Sequence, residues 1–192
     1  MKRQVIIAAA IAAIATLSTA AIAAPESYTL DPRHTYPVFE VSHFGFSIQR
    51  GRFNKTTGAL TLDRAAKSGT IDVTIDVASI DMGIEKWDQH MKSEDFFNAA
   101  KFPSITYKST KLAFDGDKVV AADGELTLLG VTKPVKATIT DFVCKPHPML
   151  KKEVCGGNVT ASIKRSEYGM AYGLPNIGDD IKILLPVEAI KD

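Results

Sequence analysis

Four histidines and two cysteines carry most of the reactive chemistry that this sequence offers. His34, His43, His90 and His147 are scattered along the chain. None forms an i, i+4 pair on a helical segment, and no His-Glu-x-x-His is present, so the spacing that seats zinc on one helix face is missing. Cys144 and Cys155 form no Cys-x-x-Cys, and no His stands at zinc-finger distance from them. There is no Gly-x-Ser-x-Gly elbow, phosphate loop or dinucleotide fingerprint. The expectation is therefore no catalytic constellation and no metal. The imidazoles fit a structural role, with a ring nitrogen bonding a backbone group near one end of a sheet. The alternative is an enzyme acting on an apolar or lipid-linked substrate through His34, His43 or His90. Arg165 stands among apolar strand neighbours beside Ser166 and Glu167. A guanidinium there requires a carboxylate or a ligand anion.

The compartment decides how the cysteines are read. Lys2 and Arg3 precede an apolar run from Val5 to Leu17, and Ala21-Ile22-Ala23 matches an A-x-A cleavage site. This is the pattern of a secretory signal peptide over residues 1–23, leaving one domain over residues 24–192. The run is short for an uncleaved anchor of about 20 residues. The expected address is the periplasm, with no transmembrane segment in the mature chain. There a disulfide between Cys144 and Cys155 is favoured over free thiols. Closing so short a loop stabilises by about 3 kcal/mol in the chain-entropy account.

Removing Lys2 and Arg3 changes the formal charge from +1 for the full 192 residues to −1. This near-balance gives no electrostatic reason to expect nucleic acid or an anionic membrane surface as a partner. A homodimer is compatible with the sequence.

The elements that must position these side chains show a period of two. Ile71, Val73, Ile75 and Val77 alternate with Asp72, Thr74 and Asp76, which gives a strand one dry and one wet face. Val135, Ala137 and Ile139 repeat the pattern. So do Val159, Ala161 and Ile163, and then Ile181, Ile183, Leu185 and Val187. Asp115-Gly116-Asp117 and Gly130 mark hairpin turns, and Gly156-Gly157 reads as the opening of a strand. Eight or nine short strands with regular turns argue for a sandwich or a barrel. One stretch breaks the alternation: Ile84, Trp87, His90 and Met91 share a helical face, with Asp81 as a candidate cap. An aromatic loop through Phe96 and Phe97 follows, placed across one end of the sheet.

An antiparallel barrel of about eight strands either fills its interior or holds one small ligand. Tyr36, Phe39, Phe44, Phe46 and Phe53 cluster in two consecutive segments. They form either a solid core or the wall of a dry tunnel. Each methylene buried in such a tunnel contributes roughly 0.8 kcal/mol, so a chain-like hydrocarbon needs no charged contact to be held.

These residues fall into five ordered motifs. They are Tyr28-Thr-Leu-Asp31 with His34; Phe39-x-Val41-x-His43-Phe-Gly45 with Gly51-Arg-Phe53 and Gly58-x-Leu60; Asp88-x-His90-Met91 with Phe96-Phe97 and Phe102-Pro103; Leu126-Thr-Leu-Leu-Gly130-Val-Thr-Lys-Pro-Val135; and Ile163-Lys-Arg165-Ser-Glu-Tyr-Gly169-Met170. The set resembles the YceI-like family of periplasmic isoprenoid-binding proteins over nearly all of residues 24–192. The resemblance implies an all-β fold with one short helix, a lipocalin-like antiparallel barrel. It implies binding and carriage of a polyprenyl chain or isoprenoid quinone tail, with no covalent cofactor and no firmly implied reaction. The candidate ligand-binding residues are Phe39, Val41, His43, Phe46, Phe53, Ile75, Trp87, Met91, Phe96, Phe97 and Arg165.

Overall fold

The computed structural model describes residues 24–192. The segment read as a signal peptide lies outside the described residues. Eleven strands form one antiparallel sheet. In chain order they are β1 (Glu26–Leu30), β2 (Val38–His43), β3 (Ser47–Phe53), β4 (Thr56–Asp63), β5 (Ser68–Asp76), β6 (Ile80–Asp81), β7 (Ser104–Asp115), β8 (Lys118–Leu128), β9 (Val131–Pro146), β10 (Glu153–Lys164) and β11 (Asp180–Lys191). Among the described residues there is one α-helix, α1 (Glu85–Lys92), which follows β6.

Eight strands close on themselves in the order β1-β4-β5-β7-β8-β9-β10-β11, with β11 returning to β1. Closure leaves these strands no free edge along the ring, and edges are where sheets aggregate. One edge of β11 is shared between two partners. Its C-terminal part pairs with β1, Ala189 to Lys191 against Leu30 to Tyr28. Its N-terminal part pairs with β2, Lys182 to Leu184 against Glu40 to Val38. The β2–β3 hairpin and the short β6 thereby extend the wall at one end, called here the mouth.

Alternation holds in the strands that carried it in the sequence. Val135, Ala137 and Ile139 of β9, Val159, Ala161 and Ile163 of β10, and Ile181, Ile183, Leu185 and Val187 of β11 all face the barrel interior. Gly156-Gly157 does not open β10, which starts at Glu153; the pair lies inside it at a register shift against β9. Glycine there lets one extra residue be accommodated, as bulges require.

Opposite the mouth, at the base, Tyr28, Leu62, Val119, Cys155 and Ala189 are fully buried and close the barrel. Cys144 and Cys155 face each other across β9 and β10 and are joined by a disulfide. A charged cluster covers this end: Glu26 accepts from Arg64 and from Lys191, and Glu153 accepts from Arg64 at 2.9 Å and from the Tyr28 hydroxyl at 2.6 Å.

Helix α1 starts without the expected cap. Asp81 sits in β6 and accepts from the Gly83 amide at 2.8 Å, while Ile84 occupies the cap position with no side-chain hydrogen bond. Asp88 accepts from the Met82 amide at 2.6 Å and ties the helix to β6 instead. No residue of α1 is fully buried, so it lies on the barrel as a cover.

Candidate functional site

The barrel interior is hollow. A cavity of about 790 Å³ runs from the base to the mouth. At the base its wall is Leu30, Leu60, Val119, Phe142 and Cys155, and at mid-height Ile71, Val73, Ala122, Ala137, Ile139 and Ala161. At the mouth it is Phe39, Val41, Phe53, Met91, Phe96 and Phe97, with His43, Gln49, His90, Arg165, Tyr172 and Asn176 as the polar groups. The exposed members of the wall, among them Phe44, Trp87, His90, Tyr172 and Asn176, all belong to the mouth.

Ten of the sequence candidates are brought together around this one cavity: Phe39, Val41, His43, Phe53, Ile75, Trp87, Met91, Phe96, Phe97 and Arg165. Phe39, Phe53 and Phe97 interlock as tilted and edge-to-face rings, with centroids 5.3 to 6.2 Å apart. Such geometry is favoured by the ring quadrupoles. Gly51 is the residue that lets them fit: a Cβ there would lie 2.5 Å from the Phe39 ring.

Phe46 is placed differently from the expectation. It does not line the cavity and is 90% exposed. The cause is the turn between β2 and β3. Phe44 and Gly45 both take positive φ, 53° and 73°, and the Phe46 amide donates to the His43 carbonyl at 3.0 Å. Asn-Gly usually fills such a pair of positive φ values, and because His43 pairs with Ser47, Phe46 is the third residue of the loop and lies outside both strands. Phe46 has the parity of the outward-facing residues, while Phe39, Val41, His43 and Gln49 line the cavity, so it is the clustering of aromatics, and not alternation, that points to it. In β3 it is Gln49 that faces inward, opposite Val41.

Arg165 is buried, yet no carboxylate lies within ion-pair distance of it among the described residues. Its guanidinium donates to three carbonyls: Nε to Gly178 at 2.8 Å, Nη1 to Met170 at 3.0 Å and Nη2 to Ile177 at 2.9 Å. The expected carboxylate is thus replaced by backbone oxygens, which satisfy the fork and fix the 170–178 loop. Burial pushes the Arg165 pKa down from the usual arginine value, and the nearby Asp179 charge opposes this. Arg165 also touches the cavity wall.

The histidines are not assembled into one site. His43 lines the mouth and packs edge-on against Phe44, 4.7 Å between centroids. His90 also lines it, with Nε2 3.0 Å from Asp95 and its ring against Phe96 and Tyr172. His147 lies far off in the β9–β10 hairpin, where Nδ1 accepts from the Met149 and Leu150 amides. His34 is at the base end, its Nδ1 2.8 Å from Asp31 and 3.8 Å from Glu188. Asp31, His34 and Glu188 form a cluster with ligand atoms close enough for one cation, which the sequence hid because Glu188 comes from the last strand. Asp31 is already engaged: burial pushes its pKa up, but hydrogen bonds from His34 and Arg33 outweigh this and hold it near 2.

Tyr107 was not anticipated. Its ring lines the cavity and crosses β8 where Gly124 leaves room, and its hydroxyl lies 3.0 Å from the Ala122 carbonyl. Burial, followed by the Asp123 charge, pushes its pKa up to about 12, so the phenol stays neutral and donates. Its alternation with polar neighbours in β7 was the only signal for it.

The arrangement can enclose a long apolar molecule and offers a few hydrogen-bonding groups at the open end. It has no nucleophile–base pair in this cavity among the described residues.

Comparison with known proteins agrees with this architecture. The family model described as "YceI-like domain" matches residues 28–189. A UPF0312 protein of Pseudomonas aeruginosa is 34% identical over 188 residues, covering 95% of this chain and 96% of that protein. The crystal structure of the Campylobacter jejuni YCEI protein superposes with a TM-score of 0.67 at 29% identity, covering 79% of this chain and 90% of that one. A polyisoprenoid binding domain from Saccharophagus degradans shares the fold, with a TM-score of 0.64 at 16% identity over 87% of this chain and 99% of that one. By matched family model, sequence identity and barrel alike, the chain belongs to the YceI-like family.

Proposed function

We propose that this protein binds and carries an isoprenoid lipid, a polyprenyl chain or isoprenoid quinone tail, in the periplasm after export of residues 24–192. The carrying observation is the hollow interior. If a carbon group takes about the room of one water, ~30 Å³, the cavity of about 790 Å³ holds on the order of 25 carbons, or about five isoprene units. The wall is aliphatic and aromatic from base to mid-height, so the tail is held by burial and needs no charge. The polar groups of the mouth, His43, Gln49, His90 and Tyr172, suit a weakly polar headgroup rather than a reaction. The Saccharophagus domain described as polyisoprenoid binding supports the same ligand class. No helix of the described residues is long and apolar enough to cross a membrane.

The test is mass spectrometry of organic extracts from protein recovered after export. A prenyl-chain mass in stoichiometric amount is expected, together with N-terminal cleavage near Ala23. A delipidated protein that takes up no prenyl alcohol or quinone of any length would remove the proposal.

A further inference from the structure

The described residues leave ten large apolar side chains exposed, and six of them surround the mouth: Phe44, Phe46, Ile48, Ile84, Trp87 and Tyr172. Isolated exposed apolar groups are ordinary, whereas a concentration of them marks a contact surface. Three come from the tip and outer face of the β2–β3 hairpin, two from the start of α1, and one, Tyr172, from the 170–178 loop between β10 and β11. The hairpin is bonded to that loop through Phe44 N to Asn176 O and Gly178 N to Ser42 O, and Tyr172 packs against His90 of α1 at 5.4 Å. The three pieces therefore form one rim.

The hairpin tip is expensive to build this way. Phe46 is 90% exposed and touches no core. Phe44 holds a φ of 53°, where a bulky side chain is strained and Asn or Gly would sit freely. Packing does not explain Phe46, and Phe44 meets only the neighbouring His43 ring and the rim of the cavity. Both are explained if the tip is dry in use.

We propose that this rim docks on a lipid bilayer by inserting its aromatic and aliphatic side chains, so that the tunnel opens directly into the apolar layer. The inference rests on the carrier reading. Phe44, Trp87 and Tyr172 belong both to the exposed rim and to the cavity wall, so one apolar surface runs from the outside into the tunnel. A prenyl chain moving along it never meets water, which removes the main barrier to its exchange. A second copy of this chain on the same rim would instead cap the opening. The charges near the rim have both signs: α1 carries Glu85, Lys86, Asp88 and Lys92, and Arg50 is paired with Glu40 at 2.7 Å. Docking is therefore apolar insertion, as in interfacial segments, and a zwitterionic bilayer suffices.

Residues 24–192, the form left after the proposed export, contain every strand of the closed barrel and both its core clusters and are the form to test. The probe is a phosphatidylcholine vesicle, read by flotation and by the emission of Trp87, the single tryptophan. Binding that is equal at low and high salt, with a blue shift of Trp87, is expected. Phe46→Ser combined with Ile48→Ser touches no cavity residue. It should lower vesicle partition by about tenfold or more, while the thermal midpoint and uptake of detergent-dispersed prenyl alcohol stay unchanged. A double variant that floats like the parent, binding abolished by salt, or a solution dimer that buries the rim would each overturn the docking surface. Prenyl uptake without vesicle binding also overturns it and leaves the carrier reading standing. Vesicle binding without prenyl uptake supports the surface and removes the carrier.

Discussion

Filling the tunnel at mid-height should shorten the chain it can hold, without unfolding the barrel. Ala161 lies on β10 between Cys155 at the base and Arg165 at the mouth, and Ala137 lies at the same level on β9; both face the cavity. Ala→Phe adds six carbons. At ~30 Å³ per carbon-sized group, each substitution removes about 180 Å³ of the roughly 790 Å³ available, slightly more than one isoprene unit. Because the added ring enters space rather than packed atoms, the usual cost of overpacking does not apply. A chain that fills the tunnel loses burial worth up to about 4 kcal/mol per unit at roughly 0.8 kcal/mol per carbon. Ordering costs that are no longer incurred offset part of this, so a net loss of about 2 kcal/mol, or about thirtyfold, is expected for each substitution. Chains of two units should bind as in the parent. The assay is a titration of prenyl quinones of graded length, followed by quenching of Trp87, with thermal melts as the folding control. If Ala137→Phe/Ala161→Phe remains folded and still binds five-unit chains as tightly as two-unit chains, the tail does not occupy the barrel interior.

Three further outcomes follow from named contacts. Replacing Cys144 and Cys155 by Ala should cost about 3 kcal/mol of stability, read by denaturant melts, while ligand uptake stays intact because the bond lies at the base. Arg165→Lys cannot reach the three carbonyls that the guanidinium fork satisfies. A loss of about 2–3 kcal/mol is expected, with faster amide exchange confined to residues 170–178; uniform exchange would refute the assignment. In acid, Glu26 reports on the base. Hydrogen bonds from Lys191 and then Arg64 hold its pKa near 2, below the ordinary 4.5. Its contribution is therefore complete above about pH 4.5 and is lost as pH falls through the folded value near 2. With a side chain 31% exposed, screening reduces the contribution to about 1 kcal/mol. A Glu26→Gln variant whose stability falls with acid as steeply as the parent's over that window would contradict this.

The sequence by itself determined the faces of the strands. Alternation in β5, β9, β10 and β11 marks as inward the residues that line the cavity, because side chains on a strand can only alternate. The 3.6-residue spacing of Ile84, Trp87 and Met91 located α1 to within one residue. Two cysteines behind a signal-peptide pattern were enough to expect their bond. What the chain could not reveal locally is what depends on closure. That β11 splits one edge between β1 and β2 and that Glu188 returns beside Asp31 and His34 are long-range pairings, and that Arg165 finds carbonyls depends on how the loop after it folds back. Phe46 failed for a local reason: it was grouped with its aromatic neighbours, but it is the last residue of the three-residue loop between His43 and Ser47 and points outward. Above all, alternation states which side chains point inward but not how far apart opposite walls stand. Whether Phe39, Val73 and Ala161 meet as a core or face each other across a hollow was decided only by the number of strands that close the ring.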